Sequence, residues 1–118
     1  MKAFVLALLL GLAAPPVLAE EGPPKVTLRW KAADANGNYG YLVYRSASRL
    51  GPYVRINAEI VMTPKDGAKE HEYVFEDLKV EPGATYYYYL DTIDTAGVKK
   101  RFSGVLPKTV EAAPTPPG

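Results

Sequence analysis

Apolar and polar residues alternate strictly through Val26-Thr27-Leu28-Arg29-Trp30. Successive side chains of a strand point to opposite faces, so Val26, Leu28 and Trp30 share one face and Thr27 and Arg29 the other. The pattern predicts a half-buried antiparallel strand. Trp30, the only tryptophan, is expected to be the core's largest filler. The most organised stretch is Pro82 to Gly97. Pro82-Gly83 punctuates a turn, an aromatic and β-branched run follows, and Asp94 to Gly97 supplies turn residues. Within the run, Tyr86, Tyr88, Leu90 and Thr92 share one face and Tyr87, Tyr89, Asp91 and Ile93 the other. Leu90 decides which of these faces goes inside, and a slip of one residue would exchange them.

The same pattern predicts strands over Tyr39 to Arg45, Tyr53 to Ile56 and His71 to Phe75, with brief pairing at Ile60-Val61-Met62. In the first of these, Tyr41 and Val43 face one way and Leu42 and Tyr44 the other. Leu78 is expected to plug the core at the corner before Pro82. Phe102 to Val110 predicts a last strand, which Pro107 confines to a sheet edge because it cannot donate to a ladder. Six or seven short strands separated by turns, and no helical period after residue 19, predict an all-β two-sheet sandwich.

Residues 1–19 stand apart from this pattern. Lys2 precedes an apolar run from Ala3 to Ala14, Pro15-Pro16 breaks it, and Val17-Leu18-Ala19 suits a signal peptidase. The run is shorter than the roughly 20 apolar residues of a membrane span. A signal peptide cleaved after Ala19 is therefore expected, with membrane contact only before cleavage and an extracytoplasmic destination, periplasmic or secreted. A polar lead-in (20–25), a domain (26–110) and a proline-rich disordered tail (111–118) would follow.

Removing Lys2 with that leader balances the remaining charges at 13 of each sign, which argues against a general nucleic-acid binder. The chain has no cysteine, which excludes disulfides and thiolate chemistry. Its one histidine, His71, lies between Glu70 and Glu72 and reads as a solvated strand residue rather than a zinc ligand. Asp34, Asn36 and Asn38 begin like a calcium loop, but Tyr39 and Arg45 occupy the positions that need Gly and Glu, so the stretch reads as a turn. Asp91 and Asp94 read as a strand-surface and a turn residue rather than an acid–base pair, and no phosphate-cradling glycine motif is present. The sequence thus argues against an enzyme and implies no cofactor or metal.

Val26-Thr-Leu-Arg-Trp30, Gly40-Tyr-Leu-Val-Tyr-Arg-Ser46, Gly51-Pro-Tyr53, Pro82-Gly-Ala-Thr-Tyr-Tyr-Tyr88 and Asp94-Thr-Ala-Gly97 together resemble the fibronectin type III domain, in the form found in exported bacterial proteins. The resemblance covers about Lys25 to Val110. It implies an immunoglobulin-like sandwich with sheets A-B-E and C′-C-F-G. Trp30 becomes the core tryptophan of strand B. Tyr86 becomes the tyrosine-corner residue, its hydroxyl bonded to backbone upstream. Strand A is short or missing, because only Glu20 to Lys25 precede Val26 in the expected mature chain. The strand B edge is then simply tolerated, or cleavage falls elsewhere, or a partner supplies the strand.

Two candidate binding features follow. Leu42, Tyr44, Tyr87 and Tyr89 would share the outward face of strands C and F, as an interaction patch or as cross-strand pairs that only stabilise the sheet. Lys99, Lys100 and Arg101 would lie on the F–G loop, as a contact for an acidic protein or anionic glycan or as a solvated charge run. The chain lacks Arg-Gly-Asp, so the integrin motif of some animal relatives does not carry over. The expected function is a non-catalytic module making protein contacts at the cell envelope or outside it. The alternative is a carbohydrate-binding module that stacks polysaccharide on the tyrosines.

Overall fold

The computed structural model describes residues 22–33, 37–65 and 70–111. The expected signal peptide, the turn at 34–36 and the tail from 112 lie outside the described residues. The described strands are β1 (Val26–Ala33), β2 (Asn38–Ser46), β3 (Val54–Arg55), β4 (Val61–Met62), β5 (Glu70–Asp77), β6 (Thr85–Asp94), β7 (Lys99–Arg101) and β8 (Leu106–Thr109). β1 and β5 form one antiparallel sheet. The other runs β3-β2-β6-β7, with β4 also on β2 and β8 also on β6. The architecture is the expected all-β sandwich of two antiparallel sheets. Gly22 to Lys25 carry no strand, and residues 20 and 21 lie outside the described residues.

The alternation read in β1 holds, with Val26 and Leu28 buried. They pack with Val43, Val80, Tyr88, Leu90 and Val110, and Trp30, Ile56, Val61, Phe75 and Tyr86 close over this cluster. Burying each such aliphatic side chain contributes about 1.5–3 kcal/mol. Trp30 is not the largest filler. It is only partly buried, and the largest fully buried residues are Tyr41 and Tyr88. Trp30 instead joins an aromatic cluster, stacked on Tyr73 at 5.6 Å and edge-on to Tyr41 at 5.4 Å. Phe102 meets the far side of this cluster, 5.1 Å from Tyr41.

Three expectations are corrected. Leu78 is 59% exposed, and Val80 plugs the core instead at 7%. The intervening residues explain the shift, because Lys79 N donates to Asp77 Oδ1 at 3.1 Å and closes a local turn. Lys99 to Arg101 do not form a loop but pair as β7 with β6. The last strand is interrupted, so that Phe102 to Val105 belong to neither β7 nor β8. Across the gap the Ser103 hydroxyl accepts a hydrogen bond from Leu90 N at 2.9 Å, in place of a backbone carbonyl. β8, which carries Pro107, lies on β6 and on no other described strand.

A polar hub joins the sheets. Asp77 ends β5 and is 5% exposed. Its Oδ2 accepts from Arg45 of β2 at 2.8 Å and from the Tyr88 hydroxyl of β6 at 2.7 Å. Arg45 also donates to Lys79 O at 2.9 Å. Burial, reinforced by donation to Asp77, pushes the Tyr88 phenol well above the ordinary tyrosine range. Nearby, the Tyr86 hydroxyl accepts from Glu81 N at 3.0 Å, tying the start of β6 to the chain upstream.

Asp77→Ala strands the part-buried Arg45 charge, and is expected to cost about 3 kcal/mol in urea unfolding. Tyr88→Phe is expected to cost about 1.5–3 kcal/mol near neutral pH, where its hydrogen bond to a charged group is lost. Up to about pH 10 the phenol keeps its proton in both the folded and the unfolded chain. Above that only the unfolded chain releases it, so wild-type stability falls as pH rises towards the folded value. The gap between wild type and Tyr88→Phe is therefore expected to narrow in alkaline urea titrations.

Candidate functional site

With Tyr88 and Leu90 buried, Tyr87, Tyr89, Asp91 and Ile93 of β6 fall on the outer side of the large sheet. Tyr44 is the register partner of Tyr89, and the two rings stack at 4.7 Å with 13° between planes. Tyr53, just before β3, tilts against Tyr89 at 5.1 Å. Its hydroxyl donates to Arg49 O at 2.7 Å, fixing the loop that precedes it. The Arg101 guanidinium lies 3.6 Å from the centre of the Tyr89 ring, and that of Arg49 lies 5.2 Å from Tyr87.

The two candidate features therefore form one face. Arg101, read as part of a loop, is brought onto the tyrosines by the β6–β7 ladder, which sets it opposite Asp91. Its Nε lies 3.5 Å from Asp91 Oδ1, with the arginine side chain 55% exposed. An ion pair this open contributes little, and the guanidinium–ring contact adds about 0.5–1 kcal/mol. β2 and β7 flank β6 on opposite sides. Tyr44 and Arg101 consequently close on opposite faces of the Tyr89 ring.

The ladder also divides the three cations. Arg101 and Lys99 pair with Asp91 and Ile93 on the outer side. Lys100 pairs with Thr92 and turns to the other side. There, with Lys31, Asn38 and Phe102, it lines a cleft of about 390 Å³ at the end of the sandwich.

Leu42 does not join the face, being fully buried. Its neighbour on the same side, Gly40, shows why. A Cβ at Gly40 would collide with Ile60 Cγ2 and the Val61 carbonyl oxygen, so the β3–β4 crossover lies over this end of β2. Asn57 fastens that crossover. Its Oδ1 accepts from Val43 N at 2.8 Å, and its Nδ2 donates to Tyr41 O at 3.2 Å, one contact on each side of Leu42. Tyr53, Arg49 and Asn57 escaped the sequence reading. Of these only Tyr53 carried a signal, through its place in the Gly51-Pro-Tyr53 motif.

His71 lies on β5, part-buried and 6.3 Å from the Tyr73 ring. Asp94 serves its own turn, its Oδ1 accepting from Ala96 N and Val98 N. Among the described residues no cluster of histidine and carboxylates has the makings of a metal site.

No family model matches the chain. It is 32% identical over 102 residues to an amylopullulanase of Thermoanaerobacter thermohydrosulfuricus, which takes in 84% of this chain and 6% of that protein. It is likewise 32% identical over 87 residues to an amylopullulanase of Thermoanaerobacterium saccharolyticum, taking in 74% of this chain and 6% of that protein. The chain thus spans about 6% of the length of these curated relatives. What it shares with them is a small antiparallel all-β domain within a much larger protein.

The stack is expected to behave as a coupled pair. In a double-mutant cycle of Tyr89→Leu and Arg101→Met, followed by urea unfolding, the coupling is expected at about 0.5–1 kcal/mol. Asp91 stays in place throughout, so the coupling reports the ring contact.

Proposed function

We propose that the chain is a non-catalytic accessory module of the fibronectin type III kind, working outside the cytoplasm and binding another protein through the outer face of β2, β6 and β7. The observation that carries this reading is the Tyr44–Tyr89–Arg101 stack. Tyrosine and arginine are the residues that interfaces between proteins concentrate at their energetic centres. Here they are held by the sheet and by one another, so little side-chain freedom is lost on binding. The fibronectin type III assignment draws support from the B-E and C′-C-F-G strand order and from the Tyr86 hydroxyl bonded to Glu81 N. The accessory role and the extracytoplasmic location draw support from the leader-like residues 1–19 and from the likeness to a small part of two large enzymes.

A second reading, binding of a neutral glucan, is favoured by the name of those relatives, amylopullulanase. It ranks below the first because sugar stacking needs an open ring face, and both faces of Tyr89 are occupied.

The test pairs a pull-down from an envelope extract of the producing cell with gel retardation in pullulan and soluble starch. Wild type and a folded Tyr44→Ser/Tyr89→Ser variant are compared. Capture of a protein by wild type alone is the expected result. Retardation by glucan that the variant loses would put the second reading first. Equal behaviour of the two chains in both assays would remove the face from consideration.

A further inference from the structure

The two outer surfaces of the sandwich differ in charge. On the small sheet, acids meet bases. Lys31 pairs across the ladder with Glu72, and Lys25 Nζ lies 3.3 Å from Glu76, leaving Glu70 and Arg29 as one charge of each sign. On the outer side of β6 and β7 the balance is lost. Asp91 is the one carboxylate among the outward positions of β6, and it is committed to Arg101 with its side chain only 15% exposed. Against it stand Arg49, Lys99 and Arg101, all exposed.

The two arginines are presented in a particular way. Each lies against a tyrosine ring of β6, which holds its planar group in place. Asp91 meets only the Nε of Arg101, so four of the five guanidinium N–H donors lie outside that pair. A guanidinium fixed in this way suits two-point binding of a carboxylate. Between the cations the rings of Tyr44, Tyr53 and Tyr89 pack on one another. The Tyr89 ring, between Tyr44 and Arg101, has no open face for a flat sugar ring, which leaves aliphatic groups to pack around it.

Building on the protein-binding reading above, we propose that this face docks an acidic protein segment in which carboxylates alternate with aliphatic residues. The carboxylates meet Arg49, Lys99 and Arg101, and the aliphatic groups cover the tyrosine edges. Lys100 takes no part, because the ladder turns it to the opposite side.

Fluorescence anisotropy of a labelled peptide of alternating Glu and Val tests this on the full chain. The variants are Arg49→Glu, Arg101→Glu, the milder Arg101→Gln, and Lys100→Glu as an internal control, each checked for folding by circular dichroism. The peptide is expected to bind at low salt and to weaken as salt rises. Arg49→Glu and Arg101→Glu are expected to weaken binding about tenfold or more, Arg101→Gln by less, and Lys100→Glu hardly at all. Equal loss with Lys100→Glu would mean diffuse attraction and overturn the proposal. Binding of dextran sulfate in preference to the peptide would overturn it in favour of an anionic glycan. No binding of the peptide would also overturn it, and the pull-down then separates two cases. Salt-resistant capture lost in the Tyr44→Ser/Tyr89→Ser variant leaves the protein-binding reading standing with a non-acidic partner, whereas no capture removes both.

Discussion

The Asp77 carboxylate is the constraint on which the geometry of this domain depends. It is buried at the end of β5, where an unpaired charge would be costly. Arg45 comes to it from β2 and Tyr88 from β6, and the ladder already places these two opposite each other. One side chain of the small sheet thereby pins two strands of the large one. With Tyr88 held inward, the parity of β6 is settled, and Tyr87 and Tyr89 have only the outer face to occupy. The surface assembled around Tyr89 is thus a consequence of a polar contact on the other side of the same strand.

Much of this was legible in the sequence because it rested on local pattern. Alternation marked Val26 to Trp30, and a single aliphatic residue, Leu90, oriented a run of four tyrosines whose faces composition alone does not separate. Where the reading fell short, the deciding contacts lie far apart in the chain. Leu42 has the parity of a surface residue but lies under a crossover that Asn57 fastens from 14 and 16 residues away. Arg45 and Asp77 are 32 residues apart, and each alone looks like an ordinary charged residue of a strand end. The Lys99 to Arg101 run is expected on a loop from the family resemblance and from its closeness to Gly97. Pairing with β6 overrode that preference and placed successive cations on opposite sides.

The candidate face shows the same dependence on context. A count of exposed aromatics suggests a platform open to flat ligands. Once Tyr44 and Arg101 are placed on either side of Tyr89, the planar surfaces of that ring are used up within the molecule. Part of the interaction capacity of these rings goes into holding the arginines still. That exchange turns an aromatic patch into a set of ordered charges.

At two places a side chain stands in for a missing peptide group. Asn57 serves β2 between β3 and β4, and Ser103 serves β6 between β7 and β8. A backbone ladder counts residues, so any insertion within it slips every later pair. A ladder bridged by an amide or a hydroxyl loses that strict count at the bridge. The stretches beside Asn57 and Ser103 are therefore expansion joints, where chain length can change without shifting the strands that follow.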